Sequence, residues 1–502
     1  MKIDSRRADV AATSGGQESG GMLKVLRHVL LFVGLACGAS LAGAATITVN
    51  TLSDELNADG DCSLREAVQA ANTNAAVDAC TAGGAGADLI LLPAGTIPVA
   101  ATIQVNESVT IRGAGRASTT VNRGGSTAFN SSAAGVVLTL EDMTVVGGAN
   151  ALNGAIAATR VDFSGGDTIN TLGGAITLTD VTLSGGTDVN TSSGAVTMTS
   201  VILSGGGGVN TSSAPITMTQ SSIAAANGTA INTSTGTISL TQSSVVGSND
   251  SGINSSSGAI TLVDSGVTGS GQFGINSGGS VSLTRSLVSG SGEDGVNVGG
   301  GTLAAVNSTI SGNQGRGISG GVGSTVTLNA VTITGNSMGG LSSGAAAGTT
   351  AVHAILGPNG GPNCGAAVAS SSYSIDSGTT CGLAGTGDRS STNPLLGALA
   401  NNGGPTFTHL PQTGSPAIDN GSNGACQAVD QRGVARPVDG DGNSTATCDI
   451  GAVEAGAGSP PPPPPPPAAI ETIPTLSEWG LIMLALLLGT VAAWRMRVGT
   501  VR

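Results

Sequence analysis

The chain has 502 residues; 82 are glycine, aromatic residues make up 2% and charged residues 10%. Ordinary globular domains rely on aromatic bulk inside and charge outside, so this composition excludes a stack of them and favours a thin, long core of small aliphatics. From Ala45 to Trp494 there are 28 acidic residues against 10 arginines, a formal charge of −18, and both lysines (Lys2 and Lys24) lie earlier. Lysine-based chemistry is thereby excluded from that body, and nucleic acid and anionic membrane surfaces are disfavoured as partners.

Residues 1–44 read as an export signal. Met22 opens a basic start with Lys24 and Arg27, an apolar run follows from Val29 to Cys37, and Ala42-Gly43-Ala44 is the small-residue pattern that a signal peptidase accepts. The polar stretch before Met22 is foreign to such a signal, which points to translation starting at Met22; a long polar leader is the alternative. Past the signal, six cysteines fall into three local pairs by position: Cys62 with Cys80, Cys364 with Cys381, and Cys426 with Cys448. An even count in an exported chain favours disulfides, although sequence alone does not fix their connectivity. There is no CxxC, so metal and redox readings of these cysteines are weak.

Residues 45–133 supply an N-terminal cap and the first coils of a solenoid. Ser63 and Glu66 form a capping box ahead of a helix that puts Leu64, Ala67, Val68 and Ala71 on one face. A solenoid exposes its apolar column at the end, and this helix is placed to cover it. Cys62-Ser-Leu-Arg-Glu-Ala67 resembles the CSLREA motif at the N-terminus of many bacterial secreted β-helix surface proteins.

Residues 134–344 repeat every 20 to 22 residues in ten lines, such as Ala175-Ile-Thr-Leu-Thr-Asp-Val-Thr-Leu-Ser-Gly-Gly-Thr-Asp-Val-Asn190. Ile176 and Leu178 alternate with threonine, the period of a strand with one apolar face. Two short strands and two turns per line bury nothing alone, but stacked coils bury a continuous column. The expectation is an all-β, right-handed parallel β-helix.

Two polar columns follow the repeat. Asn170, Asn190, Asn210, Asn232, Asn254, Asn276 and Asn297 each follow Ile or Val and read first as a structural ladder of hydrogen-bonded amides, with a glycan-binding row as the lesser alternative. Asp142, Arg160, Asp180, Ser200, Gln220, Gln242, Asp264, Arg285, Asn307 and Asn329 form a second column of solvated turn positions, where Arg285 can pair with Asp264. Acid–base sugar hydrolysis needs two carboxyls separated by roughly 5–9.5 Å, and no two acidic residues are adjacent in this column. Asp162, Asp180 and Arg160 are the nearest approach to such a site. Gly317-Ile-Ser-Gly-Gly321 and Gly340-Leu-Ser-Ser-Gly344 match the Gly-x-Ser-x-Gly pattern but read as turns, since neither precedes a helix pattern. His353 and His409 lie far apart in sequence and read as structural or exposed. No catalytic residue is assigned.

Residues 345–458 carry the last coils and a further motif set. Asp439, Asp441 and Asn443 alternate as calcium ligands do, echoed by Asn57, Asp59 and Asp61, but the twelfth position from Asp439 is Ile450 rather than Glu, so turn-forming Asp-Gly explains both. Asn393-Pro-Leu-Leu-Gly397, Asn401-Asn-Gly-Gly-Pro-Thr406, Gly414-Ser-Pro-Ala-Ile-Asp419, Asp430-Gln-Arg-Gly433 and Cys448-Asp-Ile-Gly-Ala-Val-Glu454 are similar to the choice-of-anchor Q domain. That resemblance implies a β-helix body joined to a C-terminal anchor.

Eight prolines from Pro460 to Pro467 lie in a linker, residues 459–472, and beyond it comes a tail, residues 473–502. Ile473, Pro474, Thr475, Leu476, Ser477, Glu478, Trp479 and Gly480 open the tail; 16 uncharged residues run from Trp479 to Trp494, then Arg495 and Arg497. A transmembrane helix with snorkelling arginines is the expectation, although a span needs about 20 residues. The tail resembles the IPTL-CTERM sorting signal of Gram-negative bacteria, which implies recognition by an exosortase-type membrane enzyme and delivery to the cell surface or beyond. The whole chain therefore reads as a non-catalytic surface or secreted protein, adhesive or structural, with a surface glycan or matrix as partner and no obligatory cofactor. A β-helix polysaccharide lyase or glycoside hydrolase is the alternative.

Overall fold

The computed structural model describes residues 43–166 and 168–456. The export signal, the proline-rich linker, the sorting motif Ile473–Gly480 and the expected membrane span lie outside these residues. Among the described residues no helix is long and apolar enough to cross a membrane.

The body is a parallel β-solenoid of about 13 turns. Side chains one coil apart stack in register: Ile176, Val196, Ile216, Ile238, Ile260 and Val281 form one inward column. Leu183, Leu203, Ile223, Val245, Val267 and Val288 form a second, and Val189, Val209, Ile231, Ile253, Ile275 and Val296 a third. All eighteen are buried. Branched aliphatics suit this geometry because each packs against its own kind directly above and below.

Each coil thus has three short strands, not two. The corner that the glycine pattern does not mark is made by a single residue in the left-handed region: Asp180 (φ 53°), Ser200 (55°), Gln220 (50°), Gln242 (49°) and Asp264 (52°) turn the chain with no loop at all. This is the second polar column. It departs from expectation at its end, where Ala330 (φ 54°) takes the corner and Asn329 precedes it. The pairing of Ser308 with Val331 and of Val306 with Asn329 fixes that register.

At the N-terminal end, the helix Leu64–Thr73 has its reciprocal capping box, Ser63 with Glu66. Every residue from Cys62 to Ala67 has a structural task. Cys62 is bonded to Cys80. Leu64 and Ala67 are buried, Glu66 also accepts from the Asn57 amide (3.0 Å), and Arg65 grips Asp54 through two bonds (2.8 and 2.9 Å).

After the last strand, Ile375–Asp376, the chain runs back along the outside of the coils. Ile450 and Ala417 join Ile355 and Ile375 in a small second core. Polar clamps hold the rest: the Asn307 amide donates to the Val429 carbonyl (2.8 Å), the Thr309 hydroxyl to Gln431 Oε1 (2.6 Å), and the Ala452 amide to the Thr332 hydroxyl (3.1 Å).

Candidate functional site

The returning segment covers one outer face of the coils only from about Arg285 onward, where Thr406 donates to the Arg285 carbonyl (3.3 Å). Ahead of that point the same face is open, and at the boundary lies a groove of about 710 Å³. Its floor includes Ser244, Gly266 and Leu287, in register on the second strand of successive coils; nothing lies within 4 Å of where a Gly266 side chain would begin, which keeps the floor low. Phe407 on the returning segment is one wall, and the left-handed corner with Gln220, Gln242 and Asp264 is another part of the lining. Phe407 is 50% exposed, Val246 45% and Ile202 53%, unusual openness for large apolar groups in a chain so poor in aromatics.

The charges of this corner are paired at both ends of the open stretch. Arg285 holds Asp264 through two bonds of 2.7 Å. At the other end Arg160 holds Asp142 (2.5 and 2.7 Å), and Arg116 reaches across to Asp162 (3.5 Å) and Asp180 (3.2 Å). Arg116 escapes sequence reasoning because it lies outside the repeat, in the loop before it. Between these ends stand Ser200, Gln220 and Gln242, and the side-chain amides of the two glutamines have no partner within the described residues. The trough therefore offers free hydrogen-bonding amides and hydroxyls over a partly apolar floor, with every guanidinium along it held by a carboxylate.

The asparagine ladder is arranged differently. Asn170 to Asn297 are paired coil to coil, and their amides bond one another: Asn210 to Asn190 (3.2 Å), Asn254 to Asn232 (2.8 Å), Asn276 to Asn254 (2.9 Å) and Asn297 to Asn276 (2.8 Å). Asn130 and Asn150 continue it toward the N-terminus; they follow Phe129 and Ala149 rather than Ile or Val, so the repeat pattern misses them.

Cys364 is bonded to Cys381 and Cys426 to Cys448. Asp439 and Asp441 converge with Asp419, their oxygens within 4.8 Å of one another. Asn443 does not join them: its Oδ1 accepts from the Thr445 amide (2.8 Å) and its own amide donates to Asp441 (3.0 Å). Asp439 accepts from the amides of Gly442, Asn443 and Ser444, and Asp419 from those of Gly440, Asp441 and Thr447. These bonds account for the cluster as a turn. Glu55 with Asp59 and Asp61 is the other such group; Asn57 donates to Glu55 instead of lining it (3.1 Å).

Contrary to expectation, Gly340–Gly344 does precede a helix: Ser342 caps the short helix Ser343–Ala347. Its backbone is ordinary and extended (φ −66°), not the strained turn of a nucleophile elbow, and its hydroxyl is bonded to the Ala345 and Gly320 amides. His409 bridges the Gly397 carbonyl (2.7 Å) and the Ser311 hydroxyl (3.1 Å), and His353 Nε2 accepts from the Ser422 amide (2.8 Å). Both histidines fasten the returning segment.

That segment also buries Asp430, Arg432, Arg436, Asp449 and Glu454. Burial, and then the neighbouring Glu454, push the Asp449 carboxyl up to about 7; burial, and then the Arg436 charge, bring His353 down to about 4. The two act in opposite senses on stability. A raised carboxyl contributes stability that is lost as pH rises from about 4 to about 7, whereas a depressed histidine costs stability as pH falls from about 6.5 to about 4. Burial raises Glu454 and lowers His409 in the same senses, so in the parent chain carboxyls and histidines oppose one another. Relative to the parent, Asp449→Asn should gain stability as pH rises through that window and His353→Gln should lose it, as read by urea unfolding across pH; parallel curves for the two variants would contradict the assignment.

The IPTL-CTERM motif model matches residues 472–497. No curated protein matches the chain. Among solved structures, the A-module of the Azotobacter vinelandii mannuronan C-5 epimerase AlgE6 is similar at 15% identity over 60% of this chain and 91% of that one, with a TM-score of 0.37. The corresponding AlgE4 module is 17% identical over 62% and 92% (TM-score 0.32). Pectate lyase Pel9A is 14% identical over 83% and 98% (TM-score 0.31). Likenesses of this size carry no conclusion about activity. The chain joins a parallel β-solenoid to a C-terminal sorting motif.

Proposed function

We propose that this is an exported, surface-displayed, right-handed β-helix whose role is adhesive or structural rather than catalytic. The observation that carries this reading is the sorting motif at residues 472–497 on a disulfide-bonded solenoid. Right-handed coiling follows the strong preference of parallel crossover connections. The similarity of Cys62–Ala67 to CSLREA and of the returning segment to choice-of-anchor Q adds support, because both sets of residues are spent on capping and clamping. In this reading the export signal is removed, the tail spans the membrane, and an exosortase-type enzyme reads Pro474 to Trp479.

Mass spectrometry of the mature C-terminus, taken with its cell fraction, tests this. A surface or released chain lacking the end of the tail is expected, and Trp479→Ala should hold the precursor in the membrane with an intact tail. An intact C-terminus in the inner membrane of the parent cells would sink the sorting half of the proposal.

One observation favours the enzyme reading: Asp162 and Asp180 on neighbouring coils share Arg116. Glycan depolymerisation that is present in the parent and lost in Asp180→Ala would make the protein an enzyme.

A further inference from the structure

We infer that the trough beside Gln220 and Gln242 binds a neutral, extended glycan running parallel to the solenoid axis. This deepens the surface-display reading by naming a ligand class, and it rests on that reading only for where the ligand is met.

The argument begins with what the trough lacks. Both guanidinium groups along it are committed to carboxylates, Arg116 to Asp162 and Asp180 and Arg285 to Asp264. The body as a whole is strongly acidic. A polyuronate or phosphate-bearing polymer would meet net repulsion with no free cation to offset it, so the electrostatics reject an anionic ligand. An extended peptide is also a poor fit. It would seek unpaired strand edges, whereas this surface is the face of a sheet whose amides and carbonyls are used in the coil-to-coil ladder.

What remains is recognition by side chains. Gln220 and Gln242 stand one coil apart on the same corner, and unlike the Asn ladder their amides are not consumed by each other. An amide offers two donors and an acceptor, the complement of a row of sugar hydroxyls. From the Asp180 corner to the Asp264 corner there are four coil intervals, a straight run of roughly 19 Å at about 4.8 Å each. That interval is close to the advance per sugar of an extended β-linked chain, so successive sugars fall on successive coils. Phe407 and Val246 supply apolar surface for the C–H faces of the rings, and the half-exposed Phe407 already faces the groove.

Isothermal titration of the purified full-length chain in detergent, with cellohexaose and with hexagalacturonate as probes, tests the inference. Cellohexaose should bind and hexagalacturonate should not. Phe407→Ala should weaken binding by up to roughly tenfold, and the Gln220→Ala/Gln242→Ala double variant by a similar factor. These side chains are at least partly exposed, so thermal unfolding of the variants should match the parent and separate lost binding from lost fold. The inference is overturned if cellohexaose does not bind, if hexagalacturonate binds as well, or if properly folded variants bind like the parent. Because binding is read in vitro, a failure here leaves the sorting proposal standing, and mis-sorting in cells leaves this one untouched.

Discussion

Arg436→Ala should destabilise the returning segment by about 3–5 kcal/mol, the cost of stranding buried charge. The Arg436 side chain is fully buried, lies 3.4 Å from Glu454, and donates to the carbonyls of Asp449 (3.0 Å) and Gly451 (2.8 Å). Alanine leaves the Glu454 carboxyl beside Asp449 without its guanidinium partner, and two buried carbonyls without donors. Arg436→Met keeps much of the volume and should lose nearly as much, because charge and hydrogen bonds rather than packing are removed. The damage should be local. Coils of a solenoid contact chiefly their neighbours, so limited proteolysis should cut between residues 376 and 456 while the repeated coils survive. Since Thr406 and Phe407 sit on the same segment, the groove wall should be lost together with the clamp. Uniform loss of all parts at one urea concentration would show that the segment and the coils unfold as one unit.

Phe163→Ala should cost about 3–5 kcal/mol, against about 0.5–1.5 kcal/mol for Ile253→Val. Phe163 is fully buried and stacked between Val145 and Leu183 on adjacent coils. A thin core with one residue per column per coil has nothing behind it to collapse into the space, and the ladder of backbone bonds on either side resists closing. Urea unfolding read by circular dichroism distinguishes this from a tolerant core: equal, small losses for both variants would mean that the coils readjust freely.

The parts legible in the sequence are those that recur at a constant interval. Ile176 and its equivalents, the asparagines from Asn170 to Asn297, and the Arg285–Asp264 pair all repeat with the coil, so spacing alone places them side by side. The capping box at Ser63 and Glu66 is legible for a different reason: its partners are three residues apart. What spacing does not reveal is contact between segments that share no period. Arg116 meets Asp180 across 64 residues, and Thr406 and Gln431 meet Arg285 and Thr309 across 121 and 122. The third corner of each coil is legible as a polar column of turn positions, but not its form, in which one left-handed residue does the work of a loop. Nothing in the identity of Ser200 or Gln220 announces that backbone state, and the same silence let Asn329 be taken for the corner that belongs to Ala330. The trough inherits both difficulties, since it exists only where the corner, the coil face and the returning segment meet.

The return of the chain along its own flank also decides how the rod is held. The Ala452 amide is bonded at the coil of Thr332, so under the sorting proposal above a tether continuing from the described residues would grip the rod on its side near one end. The helix Leu64–Thr73 is then the distal tip, about twelve coil intervals farther out, roughly 58 Å at about 4.8 Å per coil. Along that length the trough lies nearer the grip than the tip. A polymer lying in it would be drawn in along the rod toward the anchoring surface, in the posture of a mooring post rather than of a probe.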